Sequence, residues 1–340
     1  MKAFHGRRRS LPVLFVALSV LLLVWGCALI PEEVSLGEPS GYLEYSPQIY
    51  ARLSGQTLRD ITKGMDDKKL SDFLTSLMPN PKAKGGGTSS SSDSTIDTSF
   101  IKEFLDKTNS FGAGIRGIGS DQPKAEAIFL GRFSPVSLRL ALTMEGSWRR
   151  LEDGGYRSAQ YPLYLRSPQA GWIHLSTEAG PPPKSEPVQA FPERMRAMAS
   201  SDIFISINEP KILFSGTLPL EASAIPLETV LLSGFLERPS APAVPAASPS
   251  SPGLVTDSMR NYLVELRVVV KDEATAKAYR PVVRFLWAAA VARIFGNRSD
   301  IASLPLSLEG AVYVVRGIRL SGEEIRRILS TGGMTRGPTS

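Results

Sequence analysis

A single cysteine, Cys27, stands in a chain of 340 residues. A lone thiol closes no internal disulfide and builds no CxxC metal site, so the fold must be held by burial and hydrogen bonding alone. The residues before Cys27 explain its presence. MKAFHGRRRS opens the chain with Lys2, Arg7, Arg8 and Arg9, and Leu11 to Trp25 follow as an uncharged, mostly apolar run that ends at Gly26-Cys27. This is the layout of an export signal. The run is 15 residues long, shorter than the roughly 20 that a helix needs to cross a bilayer.

Val24-Trp25-Gly26-Cys27 resembles a lipobox, the site at which bacterial lipoproteins are lipidated and cut. Trp25 stands where a small residue is usual, as in the lax lipoboxes of spirochaete lipoproteins. The resemblance covers the leader only. It implies cleavage between Gly26 and Cys27, lipid on Cys27, and a protein anchored to the cell membrane or outer membrane, facing the periplasm or the exterior. More than one acyl chain on Cys27 makes such an anchor durable, because each buried CH2 contributes about 0.8 kcal/mol. Two other readings stay open from the residues: an uncleaved anchor over residues 11–30, ended by Pro31-Glu32-Glu33, and plain secretion with a free thiol.

The net charge of +6 belongs mostly to the leader. The first 26 residues hold four basic side chains and no acid, leaving 35 basic against 33 acidic in the remainder. No block of Lys and Arg interleaved with aromatics offers a groove for a phosphate backbone, so no nucleic-acid partner is expected.

Hydropathy patterning in the remainder predicts an α+β fold, mainly antiparallel sheet with packed helices, possibly in two related halves. A tether is expected over 27–45, a first half over 46–198 with a flexible insert at 82–94, a second half over 199–332 with a Pro/Ala/Ser loop at 239–252, and a disordered tail at 333–340. Ile203, Ile205 and Ile207 alternate with Phe204 and Ser206, and Tyr262 to Val270 alternate likewise, as strands with one face on a core do. Residues 161–165 and 172–175 read as a hairpin. Ser134-Pro135 opens a helix expected to continue through Trp148 towards Gly154-Gly155, and Asp272 caps a long helix that Pro281 should kink or split. Ser321 and Glu324 form a capping box before Ile325, Ile328 and Leu329. Residues 52–61 match 319–328 at six of ten positions, a pattern that fits either duplication or convergence on good capping chemistry.

Chemistry is sparse. His174 is the one histidine after Cys27, and it shares a strand face with Trp172 and Ser176 that reads as half exposed. A zinc site would need His and Cys ligands that are absent, and a Ser-His-Asp triad could be built only around His174. The pairs Asp66-Asp67, Glu152-Asp153 and Asp272-Glu273 sit beside basic residues or helix ends, where acids do structural work. Gly112 to Gly117 lacks the Lys-Ser/Thr of a phosphate loop and reads as a turn. Trp148, Trp172 and Trp287, with Phe285, are candidates to line an apolar cleft, and Trp287 to Ala292 reads as a helix buried on several sides. The expectation is a non-enzymatic envelope protein without cofactor or metal, membrane-bound through Cys27, whose body binds an envelope protein or serves a structural role. The alternative is a carrier of an apolar small molecule or lipid, and a hydrolase is the remotest reading.

Overall fold

The computed structural model describes residues 38–43, 46–63, 65–66, 69, 98–118, 120, 123–159, 162–180, 200–210, 226–237, 260–295 and 298–331. Gly26, Cys27, the insert at 82–94, the loop at 239–252 and the tail at 333–340 lie outside them. The strands are β1 (Ile49–Ser54), β2 (Thr108–Arg116), β3 (Lys124–Gly131), β4 (Trp148–Arg150), β5 (Tyr156–Ser158), β6 (Tyr164–Arg166), β7 (Trp172–Ser176), β8 (Ile203–Ile207), β9 (Leu227–Leu236), β10 (Asn261–Val270), β11 (Leu306–Glu309) and β12 (Val312–Ser321). The α-helices are α1 (Gly55–Thr62), α2 (Thr98–Lys107), α3 (Pro135–Glu145), α4 (Glu273–Phe295), α5 (Ser299–Ala302) and α6 (Gly322–Thr331).

All of these strands join one antiparallel sheet in the order β11-β12-β10-β9-β8-β1-β2-β3-β7-β6-β5-β4. The expected class, α+β with mainly antiparallel sheet, is therefore the observed one. Strands from before residue 199 lie on one side of the β1–β8 pair and strands from after it on the other. Each side runs through the same sequence of moves. A three-stranded meander leads into a helix, and a later strand returns beside the third: β1-β2-β3, α3, then β7; β8-β9-β10, α4, then β12. The match between residues 52–61 and 319–328 falls on β1–α1 and β12–α6, the first strand of one side and the last of the other. In this topology the two segments occupy different positions.

The helices cover one face. Leu53, Val264, Val315 and Ile318 from the strands meet Ile61 of α1, Val291 of α4 and Ile325 of α6. Leu138 and Leu142 of α3 pack on Tyr156, Leu165 and Ile173, and Ala276 and Val283 of α4 pack on Val270 and Tyr313. Alternation puts these side chains on the same side of the pleat.

Local signals succeed where a cap or an alternation acts alone. The Asp272 carboxylate accepts from the Thr275 amide at 2.7 Å. Ser321 Oγ accepts from the Glu324 amide at 3.2 Å while Glu324 Oε2 accepts from the Ser321 amide at 2.8 Å, a complete capping box. The expected hairpin forms between β6 and β7, its first strand starting at Tyr164.

Other expectations are corrected. The helix from Ser134 stops at Glu145, where Gly146 turns left-handed at φ 72°, and Trp148 begins β4 instead. Pro281 does not split α4, which stays helical through it; Pro281 faces solvent, where water can meet the carbonyl left without its amide. The same helix is less buried than its composition suggests. Ala288, Ala289 and Ala292 are exposed, and Phe285 is 67% exposed.

Replacing Ser321 by Ala removes one half of the capping box and is expected to cost about 1 kcal/mol, read as a lowered urea midpoint with unchanged slope.

Candidate functional site

Residues 38–43, within the stretch expected as a tether over 27–45, lie across the face of the sheet away from the described helices, where Pro39–Tyr42 form a 3-10 turn with the Gly41 amide donating to the Glu38 carbonyl at 3.0 Å. Tyr42 and Leu43 are buried against Tyr50, Ile128 and Trp172, with the Tyr42 and Trp172 ring centroids 5.0 Å apart. Sequence makes room for this strap. A Cβ on Gly112 would stand 2.6 Å from Pro39 Cβ and 2.9 Å from the Tyr50 hydroxyl. The glycines expected to form a turn at 112–117 therefore belong to β2, and only Gly117, at φ 68°, turns the chain.

Its first residue carries the charge. Glu38 Oε1 lies 2.8 Å from Arg52 Nε on β1, and burial outweighs that guanidinium and the Tyr50 hydroxyl, holding the carboxyl up to about 7. The Tyr50 hydroxyl is itself pushed up by burial and then by Glu38.

His174 is not half exposed. On β7, opposite Ile128 of β3, it is fully buried, and its Nε2 lies 3.0 Å from Oε2 of Glu126, whose side chain is also at 0% exposure. The face read as open is covered because it is the face on which the strap lies. With a carboxylate beside it, Nε2 is the nitrogen that donates. Nδ1 has no hydrogen-bond partner among the described residues. Ser176, the nearest hydroxyl on the same strand face, accepts from the Glu178 amide at 3.1 Å. This geometry can lock β3 to β7; it gives a substrate no route to the imidazole.

The acidic residues do structural work. Asp66 accepts from the Lys69 amide at 2.8 Å, Asp153 pairs with the buried Arg166 at 3.3 Å, and Glu273 pairs with Lys277 at 2.8 Å. Asp67 lies outside the described residues. The tryptophans are not brought together: Trp172 belongs to the strap-side core, Trp148 packs with α3 and Trp287 with the main helix-side core. Among the described residues no group of His, Cys, Asp and Glu is arranged to hold a metal ion, and no helix is long and apolar enough to cross a membrane. Sequence reasoning missed Glu126, Glu38 and Arg52. Only their folded neighbours give them a role, and no local pattern marks them.

Neither a known family profile nor a curated protein matches this sequence. Among solved structures, crystal form III of TP0453 aligns over 87% of this chain and 98% of its own at 13% identity, TM-score 0.49. Crystal form I aligns over 86% and 97% at 13% identity, TM-score 0.48, and form IV over 86% and 96% at 12% identity, TM-score 0.47. No family follows from these matches.

Two outcomes are expected. Replacing His174 by Leu removes the Nε2 partner of the buried Glu126 and should cost about 3 kcal/mol in urea unfolding, whereas His174→Leu with Glu126→Leu should recover most of the loss. For Glu38, a folded pKa raised from 4.5 to about 7 means that its share of stability is complete below pH 4.5 and falls as pH rises through 7. The urea midpoint should drop between pH 5 and pH 8, and Glu38→Gln should flatten that drop.

Proposed function

We propose that this chain is a lipoprotein of the cell envelope, cut between Gly26 and Cys27, held to a membrane through lipid on Cys27 and facing the periplasm or the exterior. Its body serves a non-enzymatic binding or structural role towards another envelope component. The observation that carries this reading is the position of the single cysteine, at the end of an uncharged leader whose only charges are the basic ones before it.

The body's architecture supports it. The strap begins to pack at Glu38, eleven residues after Cys27, a stretch that spans at most about 40 Å when fully extended. A body joined so closely to its anchor stays beside the membrane surface, where an envelope partner is met. The sealed His174–Glu126 pair and the structural use of the acidic residues favour a binding role over catalysis. The dispersal of the three tryptophans weighs against the apolar-carrier alternative. The same order of meander, helix and return strand on either side of β1–β8 supports reading the body as two related halves.

The test is the mass of the N-terminal peptide of protein purified from native membranes. An acylated peptide beginning at Cys27 is expected, and Cys27→Ser should abolish that peptide. An intact Met1 would instead make residues 11–30 a membrane anchor and remove the basis of this reading.

A further inference from the structure

The two strands that end the sheet beyond β6 set like charges against each other. Arg149 of β4 is the direct cross-strand partner of Arg157 of β5, and both residues are exposed. Their Cβ atoms are therefore roughly 5 Å apart, a placement at which two cations disfavour the pairing of their strands. No acid relieves it. Of the two acids in the intervening turn, Glu152 and Asp153, the second is engaged by the buried Arg166 at 3.3 Å. Among the described residues neither Arg149 nor Arg157 forms an ion pair or a hydrogen bond. Arg157 instead lies over the Tyr164 ring of β6, 5.8 Å from its centroid, which steadies the guanidinium and leaves its N–H donors unused.

Register puts the pair on the face of the strap. Arg157 pairs with Tyr164, and Tyr164 with Ser176 of β7, which shares its face with His174; directly paired residues lie on one side of a sheet. The strap reaches across that side as far as Trp172 of β7, two strands from β5. Adjacent strands turn by about 20–25°, so the pair is inclined by roughly 40–50° to the sheet under the strap. Glu38, where the stretch from Cys27 joins the described body, packs on the same side through Arg52. Solubility alone does not account for the arrangement, because a Glu or Gln at either position would keep the rim polar and restore the pairing.

We propose that Arg149 and Arg157 form a contact for the phosphate groups of an anionic phospholipid surface, turning the strap face of the attached body towards the membrane. The inference rests on the membrane attachment proposed above and adds which side of the body meets the lipid. Two guanidinium forks side by side suit phosphate oxygens, and each basic side chain near an anionic leaflet strengthens the contact about fivefold. After the first 26 residues the chain holds 35 basic against 33 acidic side chains, so a local pair and not the net charge must supply the attraction.

The test uses the protein purified from native membranes and reconstituted, at low ionic strength, into vesicles of phosphatidylcholine alone or of phosphatidylcholine with phosphatidylglycerol. Phenylglyoxal, a neutral reagent for arginine, is added outside, and modified peptides are quantified by mass. Phosphatidylglycerol should slow modification of Arg149 and Arg157 about fivefold or more. Raising the salt to about 1 M, where the Debye length falls to about 3 Å, should abolish the difference. Arg280 and Arg284, exposed on α4, should react alike in both vesicles. In Arg149→Gln the protection of Arg157 should fall about fivefold, whereas Arg149→Lys should keep most of it, a dependence on charge that a role in strand pairing alone would not give. Equal reactivity of Arg149 and Arg157 in the two vesicles, or protection of Arg280 and Arg284 in their place, overturns the proposal. The N-terminal peptide of the same samples reports the anchor separately: an acylated Cys27 with unprotected arginines sinks the contact alone, and an intact Met1 with protected arginines sinks the lipoprotein reading alone.

Discussion

Strand β1 is hydrogen-bonded along both edges, to β2 from Ile49↔Ile115 to Ser54↔Ser110 and to β8 from Ile49↔Ile207 to Leu53↔Ile203. Every other element hangs from this double pairing. The strap of residues 38–43 enters β1 from one side and α1 leaves it from the other, with Ser54 both ending the strand and accepting from the Thr57 amide at 3.2 Å. Because the register is fixed on two edges, the alternation of β1 decides which residues face helices and which face the strap: Leu53 goes to the helix-side core, and Tyr50 and Arg52 to the strap side. A slip of one residue would exchange the two sets and bury Arg52 under the helices.

How much of this was legible depends on the range over which each signal acts. Ile203–Ile207 was readable because alternation is internal to the strand, and Asp272 and Ser321 because a cap needs only its own helix. The antiparallel α+β class follows from such segments added together. His174 was misjudged because the sequence cannot reveal that a strap more than 130 residues earlier lies over its face. Gly112 was read as a turn for the related reason that a glycine making room for a neighbouring chain looks, in sequence, the same as one making room for a bend. Trp287 to Ala292 misled in the opposite direction: small apolar side chains occur on an exposed helix face as readily as in a core.

The two faces of the sheet are unequal in a way that bears on function. The helix side is a conventional apolar core. The strap side mixes large aromatic residues with the buried His174–Glu126 pair and with Glu38, whose carboxyl burial pushes up to about 7.

The sheet also ends as the proposed attachment to a surface would require. Its outermost strands, β4 and β11, are three and four residues long, and they carry exposed charge, Arg149 and Arg150 at one rim and Glu309 at the other. A long apolar rim strand is a template for the next chain's strand, and copies confined to a plane meet one another far more often than copies in solution. Short, charged rims deny the neighbour a ladder to join, so twelve strands can be laid side by side in one molecule without inviting a thirteenth from another.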